Sequence, residues 1–595
     1  MCRIAGLINR SMQQNAIQAA VNEMCDILKH GGPDDAGIYS NAANHLVLGH
    51  RRLSLIDLSK AGHQPMAYQK EEYIISYNGE LYNYPELKEI LKKKGCSFST
   101  ASDTEVILAA FATWGVEAFE KFNGMFAFAL WDNNTGNIYL VRDAAGIKPL
   151  YFAHTAEGLA FASEVRAFKN IDYLQTPHPY WQVYLMAYGH LPEPITTLKA
   201  VQPLKKGYWL QYNIESGAVT QQAFTHYSYI EQISNREEAI TLVQDTLKQA
   251  VKRHLVSDAH IGVFLSGGLD SSIITILANE QHPGIDTLSL FFNDQNFSEK
   301  KYQDLVQKGL QGNQCQQLLT EEIFHNHFNE IIRAMDLPSC DGINTWFISK
   351  YARQHGLKAV LSGIGGDELY GGYPSFKRIA TALAVQKMPN LLLRSARLSH
   401  SRKLRRLCYL SIPGSVGMYL FLRGNFIPGE VARHLDATEA EVWGLLENDP
   451  KLPDITNLTA KNQASWLETN LFMQNQLLRD ADTMSMAHGV EIRLPFLDKD
   501  FVNLSLSINS SVKYSGHLGK QLLIDAYRQQ LPEAIWNRPK MGFTFPFKDW
   551  LSNSRYSGMQ SGKDFSVQHA RLKHNDLHWS QFFTLLMLEQ YQNVR

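Results

Sequence analysis

The fold is decided by Ser266-Gly267-Gly268-Leu269-Asp270-Ser271-Ser272, which follows an apolar run at 261–265 and precedes another at 273–278. This order predicts a strand, a tight turn and a helix. The two glycines allow backbone N–H groups to approach a ligand closely. The helix N-terminus directly behind them favours an anion. The stretch therefore predicts a loop that binds a negatively charged ligand.

The side chains of this loop narrow the ligand to a phosphate chain with its metal. Ser266, Ser271 and Ser272 supply hydroxyl donors, and Asp270 supplies a carboxylate for Mg²⁺. No Gly-Lys-Ser/Thr follows, which excludes a Walker A loop. The stretch resembles the pyrophosphate loop of ATP pyrophosphatases, which split ATP between its α- and β-phosphates. The alternative is a Gly-Ser turn in an ordinary α/β sheet.

The bulk composition describes a globular chain of more than one domain. It has 595 residues, 45% of them hydrophobic and 19% charged, and a net charge of -1. The charge gives no general attraction for nucleic acid or an anionic membrane. The sequence contains no apolar run near ~20 residues and no secretory leader at its N-terminus. Six cysteines without a Cys-x-x-Cys pair indicate reduced thiols, a cytoplasmic protein and no structural zinc.

One local basic cluster interrupts this neutral background. Its residues alternate with leucines, and we expect a solvated helix face rather than a binding arm. The cluster comprises Arg394, Arg397, Arg402, Lys403, Arg405 and Arg406.

Cys2 directly follows the initiator methionine. Removal of Met1 would leave a thiol and a free α-amine on one residue. Because an α-amine has a pKa near ~8, it can act as the general base for its own nucleophile. Position alone does not make this residue catalytic, since many second residues have no role.

The first half of the chain is rich in short strand-like runs. They are bounded by turn residues and accompanied by two amphipathic helices, at 17–28 and 104–114. This pattern predicts a layered α+β domain with antiparallel sheets. The strand-like runs lie at 4–8, 46–50, 73–77, 125–131 and 138–141.

Polar clusters separate these strands and carry a resemblance to a known domain. They are His30-Gly31-Gly32-Pro33-Asp34-Asp35, His50-Arg51-Arg52-Leu53-Ser54, Tyr77-Asn78-Gly79-Glu80-Leu81-Tyr82-Asn83, Ser102-Asp103-Thr104-Glu105 and Arg142-Asp143-Ala144-Ala145-Gly146-Ile147-Lys148-Pro149-Leu150-Tyr151. From Cys2 to about Glu164 the chain resembles the glutaminase domain of class II amidotransferases, whose nucleophile is an N-terminal cysteine.

The resemblance assigns roles that the side-chain chemistry supports. The Cys2 thiolate attacks the glutamine amide, and the Asn78 side chain with the Gly79 N–H stabilises the oxyanion. Arg52 binds the glutamine α-carboxylate and Asp103 its α-ammonium. Glu80 completes the expected glutamine-binding set. Taken singly, Asn78-Gly79 is a hairpin turn and Asp103 a helix N-cap.

Two positions depart from the family pattern. The family usually has an arginine where this chain has Gly31, and another where it has Ala144. Both departures affect the expected strength of glutamine binding, or its coupling to synthesis. They leave the nucleophile and the oxyanion donors in place.

The second half alternates strands with helices. A long helix at 236–255 leads into the phosphate loop, and buried strands are predicted at 287–292 and 357–361. This order predicts a parallel sheet covered by helices, with ligands at the carboxyl ends of its strands.

Several residues at those strand ends are the expected nucleotide site. Asp270 and Asp367 are the candidate Mg²⁺ ligands, and Lys520 can neutralise the charge that develops as pyrophosphate leaves. The expected ATP and pyrophosphate contacts are Leu265, Ser266, Gly267, Gly268, Asp270, Ser271, Ser272, Ser289, Ser362 and Gly363.

Further motifs extend the resemblance to nearly the whole chain. With Leu477-Leu478-Arg479-Asp480-Ala481-Asp482, Glu491-Ile492-Arg493-Leu494-Pro495-Phe496 and Arg538-Pro539-Lys540-Met541-Gly542-Phe543, the sequence closely resembles glutamine-hydrolysing asparagine synthetases. The resemblance is weakest at about 380–465. It implies a glutaminase domain at 1–210, a connector at 211–235 and an ATP-pyrophosphatase domain at 236–595.

The resemblance also implies a reaction and its participants. A carboxylate attacks the α-phosphate of ATP, and the ammonia released at Cys2 crosses an interdomain channel to displace AMP from the acyl-adenylate. The expected ligands are glutamine, ATP, Mg²⁺ and a carboxylate acceptor, with no nucleic-acid or membrane partner. A homodimer is the expected assembly.

The sequence leaves two classes of carboxylate as candidates for the acceptor. Ile364 replaces an acidic residue that is common in asparagine synthetases, and Leu337 replaces another. Aspartate is the nominal acceptor, and a sugar acid or specialised metabolite is the alternative. A cyclase that shares the synthetase half usually lacks a working glutaminase, and a non-catalytic scaffold needs none of Cys2, Asp270 and Asp367.

Overall fold

The computed structural model describes residues 2–448, 452–542, 544–553 and 563–593. Met1 and Phe543 lie outside these ranges. The strands are β1 (Arg3–Asn9), β2 (Asp35–Asn41), β3 (Leu46–Arg52), β4 (Met66–Tyr68), β5 (Tyr73–Leu81), β6 (Gly124–Asp132), β7 (Asn137–Arg142), β8 (Tyr151–Thr155), β9 (Gly158–Ala162), β10 (Gln202–Pro203), β11 (Tyr208–Asn213), β12 (Val219–Ala223), β13 (Ile261–Phe264), β14 (Asp286–Phe291), β15 (Gln314–Leu318), β16 (Ala359–Leu361) and β17 (Glu491–Arg493).

Helices cover much of the rest of the described chain. They are α1 (Gln14–Ile27), α2 (Tyr84–Lys93), α3 (Asp103–Trp114), α4 (Ala118–Lys121), α5 (Trp181–Tyr188), α6 (Arg236–His254), α7 (Leu269–Gln281), α8 (Lys300–Gln307), α9 (Glu321–Ala334), α10 (Ile343–Gln354), α11 (Gly366–Tyr370), α12 (Ser375–Val385), α13 (Asn390–Ser395), α14 (Arg402–Arg405), α15 (Gly414–Arg423), α16 (Pro428–Leu435), α17 (Glu439–Asn448), α18 (Ala460–Leu467), α19 (Arg479–Met486), α20 (Lys499–Ser507), α21 (Ser510–Lys513), α22 (Gln521–Tyr527), α23 (Glu533–Trp536), α24 (Phe547–Leu551), α25 (Lys563–Lys573) and α26 (Trp579–Asn593). A π-helical stretch, Glu468–Leu478, joins α18 to α19.

The N-terminal half is a sandwich of two antiparallel sheets. Their strand orders are β10-β8-β9-β1-β3-β2 and β12-β11-β7-β6-β5-β4. Apolar side chains from both sheets, including Ile4, Trp131 and Phe161, fill the space between them. Helix α1 packs against the first sheet, and α2 and α3 pack against the second. This confirms the predicted layered α+β architecture.

The end of the sandwich differs from the predicted boundary at residue 210. Strand β11 pairs with β7, and β12 pairs with β11, so this hairpin extends the second sheet to Ala223. A strand at the edge of a sheet needs no apolar periodicity, so the polar residues at 219–223 favoured a connector rather than part of the sandwich. The segment between the last strand of the sandwich and α6 is therefore 224–235.

The C-terminal half is built on a parallel sheet with the order β15-β14-β13-β16-β17. The chain moves outward from β13 through β14 to β15, and then returns to the other side of β13 with β16. The order reverses between β13 and β16, and such a switch point opens a crevice at the carboxyl ends of the strands. The predicted phosphate loop and the Ser362-Gly363 loop face each other across this crevice. In the described residues no helix is long and apolar enough to cross a membrane.

Buried ion pairs join the two halves. The Arg3 guanidinium lies 2.7 Å from Glu164 and 2.8 Å from Asp482, and the Lys148 ammonium lies 3.2 Å from the same Asp482 carboxylate. All four side chains are buried. Asp482 belongs to α19 of the C-terminal half, so its carboxylate compensates two cations of the sandwich.

We predict that Asp482→Asn destabilises the chain by about 3 kcal/mol, because removal of one buried partner leaves uncompensated charge. The urea midpoint followed by tryptophan fluorescence measures this loss. Asp500→Asn is the matched control: Asp500 also pairs with an arginine, Arg253, but its side chain is 56% exposed, and we expect under about 1 kcal/mol. Equal small losses in both variants would contradict a structural role for the buried pairs.

Candidate active sites

The predicted nucleophile and oxyanion donors come from different sheets of the sandwich. Cys2 immediately precedes β1 in the first sheet, whereas Asn78 and Gly79 lie on β5 in the second. The backbone N–H of Cys2 donates to Asn78 Oδ1 at 3.3 Å. Packing of the two sheets therefore brings together residues that are 76 positions apart in the chain.

The other half of the Asn78 amide is free to act on a ligand. Asn78 is fully buried, and its Nδ2 has no hydrogen-bond partner in the described structure. A buried donor without a partner is costly unless a ligand satisfies it. An amide N–H next to a cysteine nucleophile is the donor that a tetrahedral oxyanion requires.

The Cys2 thiol is protected from water. It is 7% exposed, and burial raises its pKa to about 11. A thiolate is therefore scarce at neutral pH, and a base must take the proton as the nucleophile attacks. The α-amine of Cys2 becomes that base only after removal of Met1, which lies outside the described residues.

The predicted glutamine-binding residues line one small cavity with Cys2. Arg52, Gly79, Glu80 and Asp103 all contribute to it. The Asp103 carboxylate accepts hydrogen bonds from the Tyr77 hydroxyl and the Leu81 N–H, both at 2.9 Å. A carboxylate fixed in this way can receive an ammonium without moving.

Arg52 also binds the backbone of the loop after β3, a role that the sequence did not predict. Its Nη1 and Nη2 donate to the carbonyls of Ser59, Ile56 and Asp57. These bonds hold the loop after β3 over the cavity. Binding of a glutamine carboxylate by Arg52 would have to use the remaining donor capacity of the guanidinium or replace one of these bonds.

The space beside Gly31 is filled by another arginine. A Cβ built at Gly31 would lie 2.7 Å from Arg3 Cγ and 2.8 Å from Arg3 Nε. The side chain of Arg3 therefore occupies the space that a side chain at position 31 would enter. Nothing in the structure explains Ala144.

A second, larger cavity of about 470 Å³ opens at the switch point of the parallel sheet. It brings together most of the predicted nucleotide residues from four separate segments of the chain. Its lining includes Ser266, Gly268, Asp270, Ser271, Ser362, Gly363, Asp367 and Lys520.

The remaining predicted nucleotide contacts lie behind this lining. The Ser289 hydroxyl donates to the Leu265 carbonyl at 2.7 Å, and the Ser272 hydroxyl donates to the Gly268 carbonyl at the same distance. Gly267 has φ +88°, a left-handed conformation that favours glycine. In the described state these residues shape the loop.

Two carboxylates and two ammonium groups form a compact group in this cavity. Lys520 Nζ lies 2.6 Å from Asp270 and 2.5 Å from Asp367, and Lys540 Nζ lies 2.6 Å from Asp367. Although burial opposes it, the two lysines lower the pKa of Asp367 to about 2. Likewise, the carboxylates raise the pKa of Lys520 against the effect of burial. Asp367 and Lys520 are therefore charged at neutral pH.

The same group fits Mg²⁺. Asp270 Oδ1 is buried and has no hydrogen-bond partner in the described structure. Mg²⁺ is usually held by one or two carboxylates together with substrate phosphates and water. Asp270 and Asp367 meet this need. The described residues contain no cluster of three or more His, Cys, Asp or Glu side chains that could hold a metal without the substrate.

The sequence missed two basic side chains at this end of the cavity. Lys540 pairs with Asp367, and Arg538 Nη2 donates to the Gly267 carbonyl at 2.9 Å and to Glu299 at 2.6 Å. Both lie in the block at 538–543, which served only to mark the resemblance. The alternation of basic residues with Pro and Gly in that block was the available signal.

Another part of the cavity lining is apolar and acidic. Ile364, Phe472 and Leu477 line it together with carboxyl groups. Burial raises the pKa of both Glu368 and Asp480 to about 7.

Direct contacts also connect the glutamine pocket with the parallel sheet. Arg493, at the end of β17, lies 2.6 Å from Glu491 and 3.5 Å from Glu80. Its own carbonyl accepts a hydrogen bond from the Ser362 N–H at 2.9 Å. Burial and the neighbouring Glu491 raise the pKa of Glu80, whereas Arg493 lowers that of Glu491 despite its burial. Arg493 thus touches both sites.

A small cavity lies between the two halves. Arg142 and Glu193 line it from the N-terminal side, and Leu337, Asn475 and Arg479 line it from the other. Arg142 and Glu193 form an ion pair of 2.9 Å. Apolar side chains such as Ile147 and Leu191 complete its lining, so the walls are mixed.

Comparison with known families covers both halves. Residues 1–225 match the glutamine amidotransferase domain, and residues 242–561 match asparagine synthase. The chain belongs to the asparagine synthase family. Members of this family that hydrolyse glutamine are carbon–nitrogen ligases.

Individual relatives in the asparagine synthase family match along nearly the whole chain. Asparagine synthetase (glutamine-hydrolyzing) 1 of Bacillus subtilis strain 168 is 32% identical over 573 residues, which cover 93% of this chain and 88% of that protein. Asparagine synthetase B (glutamine-hydrolyzing) of Escherichia coli K12 is 26% identical over 601 residues, which cover 96% and 87%. The enzyme is therefore a glutamine-dependent amidotransferase of the asparagine-synthetase type.

We predict that Asn78→Ala lowers kcat for glutamine hydrolysis by about 10²–10³-fold, because one oxyanion donor is lost. Glutamate release measures this rate. Asn133→Ala, in the exposed turn after β6, is the matched control and should leave the rate unchanged. Ammonia-supported synthesis should also be unchanged in Asn78→Ala. A loss below tenfold would remove Asn78 from the oxyanion hole.

Proposed function

We propose that this enzyme forms an amide from a carboxylate by an AMP-forming reaction through an acyl-adenylate, nominally aspartate to asparagine. The observation that carries the proposal is the group Asp270–Lys520–Asp367 beside the phosphate loop, in a chain that also encloses Cys2 with an unpartnered amide donor. A homodimer in the cytoplasm is the form that the resemblance favours.

In the glutaminase half, Cys2 attacks the side-chain carbonyl of glutamine. The thiol proton passes to the α-amine, the C–S bond forms, and the Asn78 amide with the Gly79 N–H receives the oxyanion. Collapse of the tetrahedral intermediate expels ammonia, with the proton returned from the α-amine, and leaves a thioester. Water then hydrolyses the thioester to glutamate. Arg52, Glu80 and Asp103 hold the substrate.

In the synthetase half, the acceptor carboxylate attacks the α-phosphorus of ATP. The new O–P bond forms as the bond to the β-phosphate breaks, so that pyrophosphate leaves. Lys520 and Lys540 neutralise the departing charge, and the N–H groups of the 266–272 loop bind the phosphates. Asp270 and Asp367 would hold Mg²⁺, which supplies charge neutralisation to the pyrophosphate. Ammonia then attacks the acyl carbon and AMP leaves.

Transfer between the sites needs protection from water. Ammonia is mostly protonated at neutral pH and loses its nucleophilicity as ammonium. The buried contact between the halves and the small cavity lined by Arg142, Leu337 and Asn475 support an enclosed passage. Arg493, which contacts Glu80 and Ser362, supports coupling between glutamine binding and the synthetase loop.

A second acceptor class is favoured by the walls of the large cavity. Among its described lining residues the lysines and the arginine lie in the block of Lys520, Arg538 and Lys540, beside the phosphate loop. The rest of the lining, where we place the acceptor, instead includes Ile364 and carboxyl groups such as Asp480. Ile364 and these carboxyl groups themselves offer no cation to the α-carboxylate of aspartate, so a sugar acid or another specialised carboxylate is the second candidate.

The Cys2 pocket and the paired carboxylates argue against a cyclase and against a non-catalytic scaffold. A cyclase that uses only the synthetase half has no need for an unpartnered Asn78 amide beside a cysteine. A scaffold has no need for two buried carboxylates held by lysines.

We predict that ATP–pyrophosphate exchange depends on an added carboxylic acid and persists in Cys2→Ala, which keeps the synthetase half intact. Asp270→Asn should reduce exchange at least about 100-fold, since a phosphate-metal ligand is lost. Incorporation of labelled pyrophosphate into ATP measures it, with aspartate and a panel of sugar acids tested in parallel.

The acids that support exchange separate the candidates. Strong exchange with aspartate excludes the second acceptor class, and exchange only with another acid excludes aspartate. The absence of acid-dependent exchange across the panel, with glutamine hydrolysis intact, would refute the adenylate reaction.

A further inference from the structure

Residues 387–406, here called the basic cap, form an unusual part of the surface. The cap contains seven Lys and Arg residues and no Asp or Glu, in a chain whose net charge is -1. It comprises α13, a short turn at 396–398 and α14. The sequence predicted a solvated helix face here and no membrane contact.

The structure adds a feature that a solvated face does not need. The cap exposes four leucines: Leu391 is 82% exposed, Leu392 55%, Leu398 77% and Leu404 51%. Met388 beside them is 44% exposed. The described chain exposes thirteen large apolar side chains. Five of them lie within these twenty residues, which is a local concentration of apolar surface. Such a concentration marks an interaction surface.

The outward leucines are not a sign of loose packing. Leu393 of the same helix is 2% exposed and anchors α13 in the core. Arg394 and Arg397 pair with Glu447 and Glu439 of α17, and Arg405 pairs with Glu430 of α16 at 2.9 Å. These contacts fix the orientation of the cap.

Exposed cations accompany the leucines. Lys387 and Lys403 are exposed, and the side chain of Arg397 is 41% exposed. Leucines flanked by cations match a lipid surface, because acyl chains accept the leucines and anionic headgroups attract the cations. A nucleic acid would use the cations alone, since phosphate contacts gain nothing from leucine.

We propose that the basic cap docks this enzyme onto the surface of a lipid bilayer that carries anionic headgroups. Cap residues line neither the Cys2 pocket nor the large cavity, so docking leaves both sites open to their substrates. The described chain has no membrane-crossing helix, and the attachment is therefore peripheral and reversible. The proposal does not depend on which acid is the acceptor.

The test is sedimentation of the full chain with vesicles of phosphatidylcholine containing 30% phosphatidylglycerol, compared with phosphatidylcholine alone. We expect binding to the anionic vesicles at least tenfold stronger than to the neutral ones, and weaker binding at 0.5 M salt. Leu391→Ser with Leu398→Ser should weaken binding at least tenfold. Lys387→Glu with Lys403→Glu should do the same.

Ile90→Ser is the matched control, because Ile90 on α2 is 46% exposed but lies outside the cap. It should bind as the wild type does. All variants should retain ATP–pyrophosphate exchange, which shows that they are folded.

Three results would overturn the proposal. The first is no preference for anionic vesicles. The second is binding that the lysine variants abolish and the leucine variants leave intact, with equal affinity for heparin, which indicates a general polyanion site. The third is a concentration-dependent oligomer that the leucine variants dissociate, with no vesicle binding, which indicates a contact between copies of the chain.

Discussion

The arrangement of the two active sites depends on the buried charge of Arg493. This guanidinium has no access to water, so its charge must be compensated inside the protein. Glu491 provides the nearest carboxylate, Glu80 the next, and the carbonyls of His254 and Val256 accept further hydrogen bonds. Of these partners only Glu80 belongs to the sandwich, so separation of the two halves would break its contact with Arg493 and leave Glu491 to compensate the guanidinium.

Arg493 also connects the two candidate active sites. Arg493 ends β17, and β17 pairs with β16, which leads into the Ser362-Gly363 loop. Glu80 follows Gly79 on β5, beside the expected oxyanion. A displacement of either strand would therefore be transmitted through one side chain to the other site. The pairs of Arg3 and Lys148 with Asp482 add a second fixed point at the nucleophile end.

Features that depend on a short continuous segment could be predicted from the sequence. The strand, turn and helix around residues 266–272 and both fold classes follow from local turn chemistry, strand patterns and family motifs. The structure adds contacts between residues that are far apart in the sequence. Arg538 contacts Gly267, 271 positions away, and Lys520 contacts Asp270, 250 positions away. No local pattern encodes such pairs.

The sequence also did not show which side chain fills a given space in the fold. The absence of an arginine at Gly31 suggested a weakened glutaminase, but the side chain of Arg3 fills that space. The exposure of the cap leucines was equally invisible, because alternation of Leu with Arg is common to packed and unpacked helices. Composition identifies such segments, and only the packing of neighbouring helices shows which face is covered.

The π-helical stretch between α18 and α19 has a consequence for how this family can diverge. Its Phe472 and Leu477 line the large cavity, whereas Gln474 and Asn475 line the cavity between the halves. A π-helix has wider turns than an α-helix, so each residue added or removed rotates every later side chain. A single-codon insertion or deletion here would alter both walls at once.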